Sequence, residues 1–122
     1  MKKIIIIRHA KSDWSNNTSD IDRPISTRGV NDAKIISKIF DSQDLRPEII
    51  YTSIAKRTIE TSRIFRERSK YLFNLDCLEV DELYDFSGKG VKSFIKNLNR
   101  KLSTVLIFTH NNSCNFLVND FA

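Results

Sequence analysis

Two stretches of this chain are apolar at every consecutive position, and the rest divides into segments of helical spacing separated by polar breaks. Ile4, Ile5, Ile6 and Ile7 form the first stretch, which ends in Arg8 and His9; Val105, Leu106, Ile107 and Phe108 form the second, which ends in Thr109 and His110. A strand with one face in water alternates apolar and polar residues. An unbroken apolar run instead suits a strand covered on both faces, as in a parallel sheet with helices above and below. Such sheets bind ligands beyond the carboxyl ends of their strands. The pattern therefore predicts an α/β fold and places both histidines of the chain at its ligand-binding edge.

Between the runs, residues 11–22 are polar and rich in Ser, Asn and Asp, which predicts a loop lying over that edge. Ser26 can cap a helix running to about residue 41, on which Val30, Ala33, Ile36 and Phe40 recur at helical spacing. Pro47 introduces a second strand at 48–51, and 55–69 reads as a helix with Ile59, Ser62, Ile64 and Phe65 on and around its buried side. Lys56 and Arg57 in its first turn oppose the helix dipole, at a cost of roughly a few tenths of a kcal/mol unless an anion binds there. A third strand is expected at 75–80, a polar turn at 81–85, a helix at about 91–102 with Phe94, Ile95 and Leu98 inward, and a fourth strand at 104–109. One last helix, capped by Asn112 or Ser113, is expected to follow. Gly88 and Gly90 lack the strand, further glycine, lysine and serine that would make them a phosphate loop.

Composition narrows the partners. The 122 residues make a single domain, 1–122, and the net charge of +5 favours an anion: a phosphorylated ligand, a nucleic acid or an acidic protein surface. Basic residues are dispersed among 15 acidic ones without aromatic interleaving, so no nucleic-acid partner is expected. The first apolar run stops after four residues, short of the roughly 7–15 of a signal core, and no segment is long enough to span a bilayer. A cytoplasmic protein with no membrane partner is expected. Cys77 and Cys114 have neither CxxC spacing nor histidines at zinc-like intervals, so they read as reduced thiols and no metal site is expected.

The candidate chemistry lies where the strands end. Arg8 and His9 follow the first strand, Arg57 opens the helix after the second, and His110 follows the last; a parallel sheet brings all four to one edge. Arginine offers a planar fork of donors that matches phosphate oxygens in pairs, so two arginines and a donating histidine can neutralise a phosphoryl group. A histidine kept neutral by those arginines has a free ring nitrogen with which to attack phosphorus. His9 would then carry the phosphoryl group until water releases it. Neither a metal nor another cofactor is needed, since the guanidiniums supply the positive charge.

In order, Arg8-His9-Ala10-Lys11-Ser12-x-Trp14, Arg23-Pro24-Ile25-Ser26-x-Arg28-Gly29, Ser53-x-Ala55-x-Arg57-Thr58-x-Glu60-Thr61 and Thr109-His110-Asn111 resemble the motifs of the histidine phosphatase superfamily, whose fold is phosphoglycerate-mutase-like. The opening motif, the Arg-Pro segment, the small size and the Leu83-Tyr84 pair resemble its branch of compact bacterial phosphohistidine phosphatases. The resemblance implies a three-layer α/β/α sandwich with a mainly parallel central sheet, His9 as nucleophile, and Arg8, Arg57 and His110 as the phosphate pocket. It further implies that Arg23 contacts the ligand and that Lys11, Ser12 and Trp14 line the entrance, although Trp14 can equally cover the core. In the wider family a carboxylate protonates the leaving group; Glu82 is the candidate here, with Asp81 and Asp85 as alternatives. Relatives continue past the His-Asn segment with a further strand and helix, so the chain reads as C-terminally shortened. The implied substrate is phosphohistidine on a protein. Small phosphate esters, and a phosphate- or phosphoprotein-binding module without turnover, are the alternatives, and the oligomeric state is left open.

Overall fold

The computed structural model describes residues 2–110 and 116–121, the latter six through their backbone. Its elements are β1 (Lys2–Arg8), α1 (Thr27–Ser42), β2 (Ile49–Ser53), α2 (Lys56–Arg68), β3 (Cys77–Val80), a 3-10 turn (Asp81–Leu83), α3 (Lys89–Lys96), β4 (Thr104–Thr109) and β5 (Phe116–Phe121). The strands form one sheet in the order β3-β2-β4-β1-β5, in which the first four are parallel and β5 runs antiparallel to β1. Among the described residues, no helix is long and apolar enough to cross a membrane.

The continuous apolar runs are explained by what lies on the two faces. Successive strand residues point to opposite sides. Ile5, Ile7, Leu106 and Phe108 pack with Ala33 and Phe40 of α1 and Phe65 of α2, whereas Ile4, Val105 and Ile107 pack with Leu83 and with Val91 of α3. Helices therefore cover both faces, two on one and one on the other, and the sandwich has three layers.

Three elements depart from the sequence pattern. The expected last helix is absent from 116–121, which form β5 in register with β1, from Ile7 opposite Phe116 to Lys2 opposite Phe121. Six residues rich in Phe, Leu and Val are too few for a stable helix but enough to occupy the open edge of β1; the proposed caps Asn112 and Ser113, like Cys114, lie outside the described residues. Helix α3 ends at Lys96 rather than near 102. There Asn97 and Asn99 turn their side chains onto the local backbone, Asn97 Nδ2 donating to Ser93 O at 3.0 Å and Asn99 Oδ1 accepting from Lys101 N at 2.9 Å. Strand β3 starts at Cys77, because Leu75 N is bonded to Leu72 O in a turn.

The start of α1 forms as the sequence suggests, with Ser26 Oγ accepting from Gly29 N at 3.0 Å. It also clamps the loop after β1. Ser26 N donates to Lys11 O at 2.8 Å, Asp13 N donates to Pro24 O at 2.9 Å, and a Cβ on Gly29 would lie 2.3 Å from Lys11 O. Only glycine lets the helix approach this closely.

Candidate functional site

Strand order decides which chain ends meet. Strand β4 lies between β1 and β2, so the residues after β1, after β4 and at the start of α2 fall side by side. His9 N donates to Thr109 O at 3.1 Å, and the rings of His9 and His110 stand 5.4 Å apart. Arg57 reaches the same point from α2, its Nε donating to His9 Nε2 at 3.4 Å. Arg8 is exposed at the end of β1 and faces the same cavity.

The tautomer of His9 is fixed by its neighbour. Nδ1 lies 2.7 Å from Ala10 O; a carbonyl only accepts, so the proton sits on Nδ1 and Nε2 is the unprotonated nitrogen, which accepts from Arg57 Nε. Ala10 N in turn donates to Thr61 Oγ1 at 3.0 Å, and Thr61 Oγ1 donates to Arg57 O at 2.7 Å, which ties the turn after β1 to the first turns of α2. Burial pushes the His9 pKa below its usual 6.5; the bond to Ala10 opposes this, and the charges of Arg57 and Arg8 add to it.

His110 is 6% exposed, behind His9 and against the rings of Tyr84 at 5.3 Å and Phe86 at 4.8 Å. Its Nε2 is 2.8 Å from Ser53 Oγ, and its Nδ1 has no partner among the described residues. Burial, followed by the charge of Arg57, lowers its pKa from 6.5 to about 4.

That depression carries a sign for stability. The unfolded chain takes up a proton on this histidine near pH 6.5 and the folded chain only near pH 4, so the unfolded state binds more protons in between. The contribution is complete above the upper value and is lost as pH falls through the lower one. Denaturant titrations should show a loss of about 2 kcal/mol between about pH 7 and about pH 4 from this group, after allowance for water in the adjoining cavity. The slope should flatten by that amount in His110→Gln, where no imidazole titrates. An unchanged slope would assign the acid sensitivity to the carboxylates.

A cavity of about 720 Å³ opens in front of His9. Arg8, Lys11, Ser12, Arg23, Arg57 and Asp20 give it polar walls, and Trp14, Ile35 and Phe86 add apolar surface at the rim. Trp14 is 73% exposed and lies beneath the Arg23 guanidinium at 3.6 Å, so it lines the entrance and does not cover the core. Glu82, the expected acid, is not brought to the cavity. The 3-10 turn buries Leu83, whose carbonyl accepts from Thr109 Oγ1 at 2.9 Å, and it turns Asp81 and Glu82 to solvent. Asp85 is also committed elsewhere: Oδ1 accepts from Ser87 N at 3.0 Å and Oδ2 from Val91 N at 3.2 Å, at the start of α3. Among the described residues, no group of three or more His, Cys, Asp or Glu side chains is placed to hold a metal ion.

Several participants carry no signal in the hydrophobic pattern. Asp20 is the principal one: Oδ2 accepts from Arg57 Nη2 at 3.0 Å and from Tyr84 OH at 2.5 Å, and Oδ1 accepts from Arg23 Nη1 at 3.0 Å. The Tyr84 hydroxyl, then the two guanidiniums, hold its carboxyl below the usual carboxylate range against the opposing effect of burial. Ser53 and Thr61 belong to the motif around Arg57, but only the fold shows which histidine each one serves.

Comparison with known proteins gives a consistent assignment. The family model for the histidine phosphatase superfamily (branch 1) matches residues 4–88. An uncharacterized chloroplastic protein of Arabidopsis thaliana is 26% identical over 118 residues, which is 90% of this chain and 54% of that protein. Phosphoglycerate mutase 1 of Saccharomyces cerevisiae is 28% identical over 76 residues, 60% of this chain and 31% of the mutase. The chain thus spans about half the length of the first relative and about a third of the second. Among solved structures, SixA from Agrobacterium tumefaciens superposes with a TM-score of 0.79 at 25% identity, over 92% of this chain and 71% of that one. The protein histidine phosphatase SixA complexed with tungstate gives 0.75 at 20% identity, over 88% and 69% of the two chains.

Proposed function

The chain belongs to the histidine phosphatase superfamily, branch 1, and from that premise we propose that it is a metal-independent phosphatase that passes the phosphoryl group through His9, with phosphohistidine on a protein as its substrate. The observation that carries this reading is the state of the His9 ring. Nδ1–H is spent on Ala10 O, and the unprotonated Nε2 accepts a long bond from the Nε–H of Arg57, which an incoming phosphoryl oxygen can take over. A nucleophile and a donor for the transferring oxygens thus occupy one point.

In the first step the Nε2 lone pair forms a bond to phosphorus as the bond from phosphorus to the substrate nitrogen breaks. Arg57 and Arg8 neutralise the equatorial oxygens, a role that guanidiniums fill without a metal. Ser53 Oγ accepts from Ala55 N at 3.4 Å and lies 2.8 Å from His110 Nε2, to which its hydroxyl donates in this scheme. The His110 proton then sits on Nδ1, the atom without a protein partner among the described residues, where a phosphoryl oxygen can accept it. Water attacks the phosphohistidine in the second step, releasing inorganic phosphate and restoring Nε2.

Two features favour a phosphoramidate over an alkyl ester. An ester oxygen needs an acid to leave, but among the described residues the carboxylates lining the cavity are Asp20, held ionised by its donors, and Asp32 on α1, 4.0 Å from Arg28 Nε. A phosphoramidate nitrogen can be protonated before the bond breaks, so it leaves without that acid. The exposed rim of Trp14, Ile35 and Phe86 favours a protein carrying the phosphoryl group over a small, fully enclosed ligand.

Rapid-quench labelling tests the reading. The chain is mixed with a phosphohistidine peptide or with an alkyl phosphate ester and examined by mass spectrometry and 31P NMR. Acid-labile phosphate on Nε2 of His9 is expected, formed faster from the peptide. Equal or faster labelling by the ester would move the substrate to small phosphate esters. Tungstate binding with neither label nor turnover would make the chain a phosphate-binding module.

A further inference from the structure

Arg57 is 3% exposed, and among the described residues its one ion-pair partner is Asp20. Two groups of Asp20 serve it: the backbone carbonyl accepts from Nη1 at 2.5 Å, and carboxylate Oδ2 accepts from Nη2 at 3.0 Å. The other carboxylate oxygen holds Arg23, and the Tyr84 hydroxyl also donates to Oδ2. One residue of the loop after β1 thus grips both guanidiniums that face the cavity from beyond the sheet.

We propose that Asp20 is a positioning residue, which sets the guanidinium planes of Arg57 and Arg23 so that the Arg57 Nε–H points at the site of phosphoryl transfer on His9. The inference rests on the reading of His9 as nucleophile. Its physical content is the edge that Asp20 occupies. A guanidinium has five N–H donors in a rigid fork; when both Nη atoms are engaged on the outer edge, the plane is fixed and the Nε edge is left for another acceptor. That edge faces His9 Nε2 at 3.4 Å. Asp20 takes the two Nη atoms while the Nε–H is turned to His9, and its carboxylate lines the cavity near enough to raise the pKa of both histidines against the other influences. The Asp20 side chain is 46% exposed, so its ion pairs are screened and its effect lies in geometry more than in stability.

Three variants, Asp20→Asn, Asp20→Ala and Tyr84→Phe, are compared by kcat and KM for a phosphohistidine peptide, by tungstate affinity, and by the NMR signal of the Arg57 Nε–H in the substrate-free protein. Asp20→Asn should lower kcat by about 10²-fold, the scale of a 1 Å misplacement at a reacting centre, with a smaller rise in KM. Its Arg57 Nε–H signal should broaden and exchange faster with water. Tyr84→Phe removes one hydroxyl from the surface of the network and should shift each readout a few-fold in the same direction. Tighter tungstate binding by Asp20→Ala together with an unchanged kcat would show the carboxylate to be only a competitor for the anion and overturn the proposal. Unchanged kcat and an unchanged Arg57 signal in both Asp20 variants would also overturn it. If the wild type neither turns over nor binds tungstate, the phosphatase reading fails, and the Arg57 signal still decides whether Asp20 orders that side chain.

Discussion

Replacing His9 by alanine is expected to lower turnover by at least about 10⁴-fold, the scale on which loss of a covalent nucleophile is felt, while the chain remains folded and still binds tungstate. The folded state should persist because His9 lies beyond β1 and outside both apolar clusters, so its removal leaves their packing intact. Anion binding should persist for an electrostatic reason. Burial and the neighbouring arginines keep the His9 ring neutral near pH 7, so the substitution removes no positive charge from the cavity. Arg57, Arg8 and Arg23 remain. Tungstate affinity within a few-fold of the wild type, together with the disappearance of acid-labile phosphate, would separate the nucleophile from the anion cage. Free imidazole in the vacated space should restore part of the turnover, since it supplies the missing nitrogen. An alanine variant that retained more than about 1% of wild-type turnover would place the attack on water directly and end the covalent scheme.

The elements that bring His9 and His110 together were legible because they are local. Ile4 to Ile7 and Val105 to Phe108 are apolar at every position since each strand is covered on both faces, one by α1 and α2 and the other by α3. Likewise the Ser26 cap depends on a residue three positions away. Strand β5 was not legible, because nothing within 116–121 states that the edge of β1 is open; that follows from strand order. The network around Asp20 was hidden for a similar reason. Asp20 lies 37 residues from Arg57 and 64 from Tyr84, in a loop without periodicity, and a carboxylate in a polar loop has no signature until the chain is folded. Glu82 shows the opposite failure: its place in the chain suits an acid, yet the inward commitment of Leu83 turns it away.

Arg57→Ala is expected to lower kcat/KM by about 10³-fold or more, since it removes a donor aimed at the transferring oxygens and a full charge beside them. It should also change the shape of the pH profile. The Arg57 cation helps to hold His9 and His110 below their usual pKa, so its removal lets both move back up toward 6.5. Because His9 attacks only when neutral, the acid limb of the residual activity should move to higher pH. It should move part of the way, since burial is the larger cause of both depressions and the substitution leaves that burial largely in place. Arg57→Lys separates the two contributions. An ammonium keeps the charge but not the planar fork, so Asp20 cannot hold it by two Nη atoms while a third donor faces His9. The lysine variant should therefore lose about 10²-fold in rate with its acid limb near the wild-type position. A lysine variant as active as the wild type would show that charge alone suffices at this position, and the orientation imposed by Asp20 would then have no consequence for catalysis.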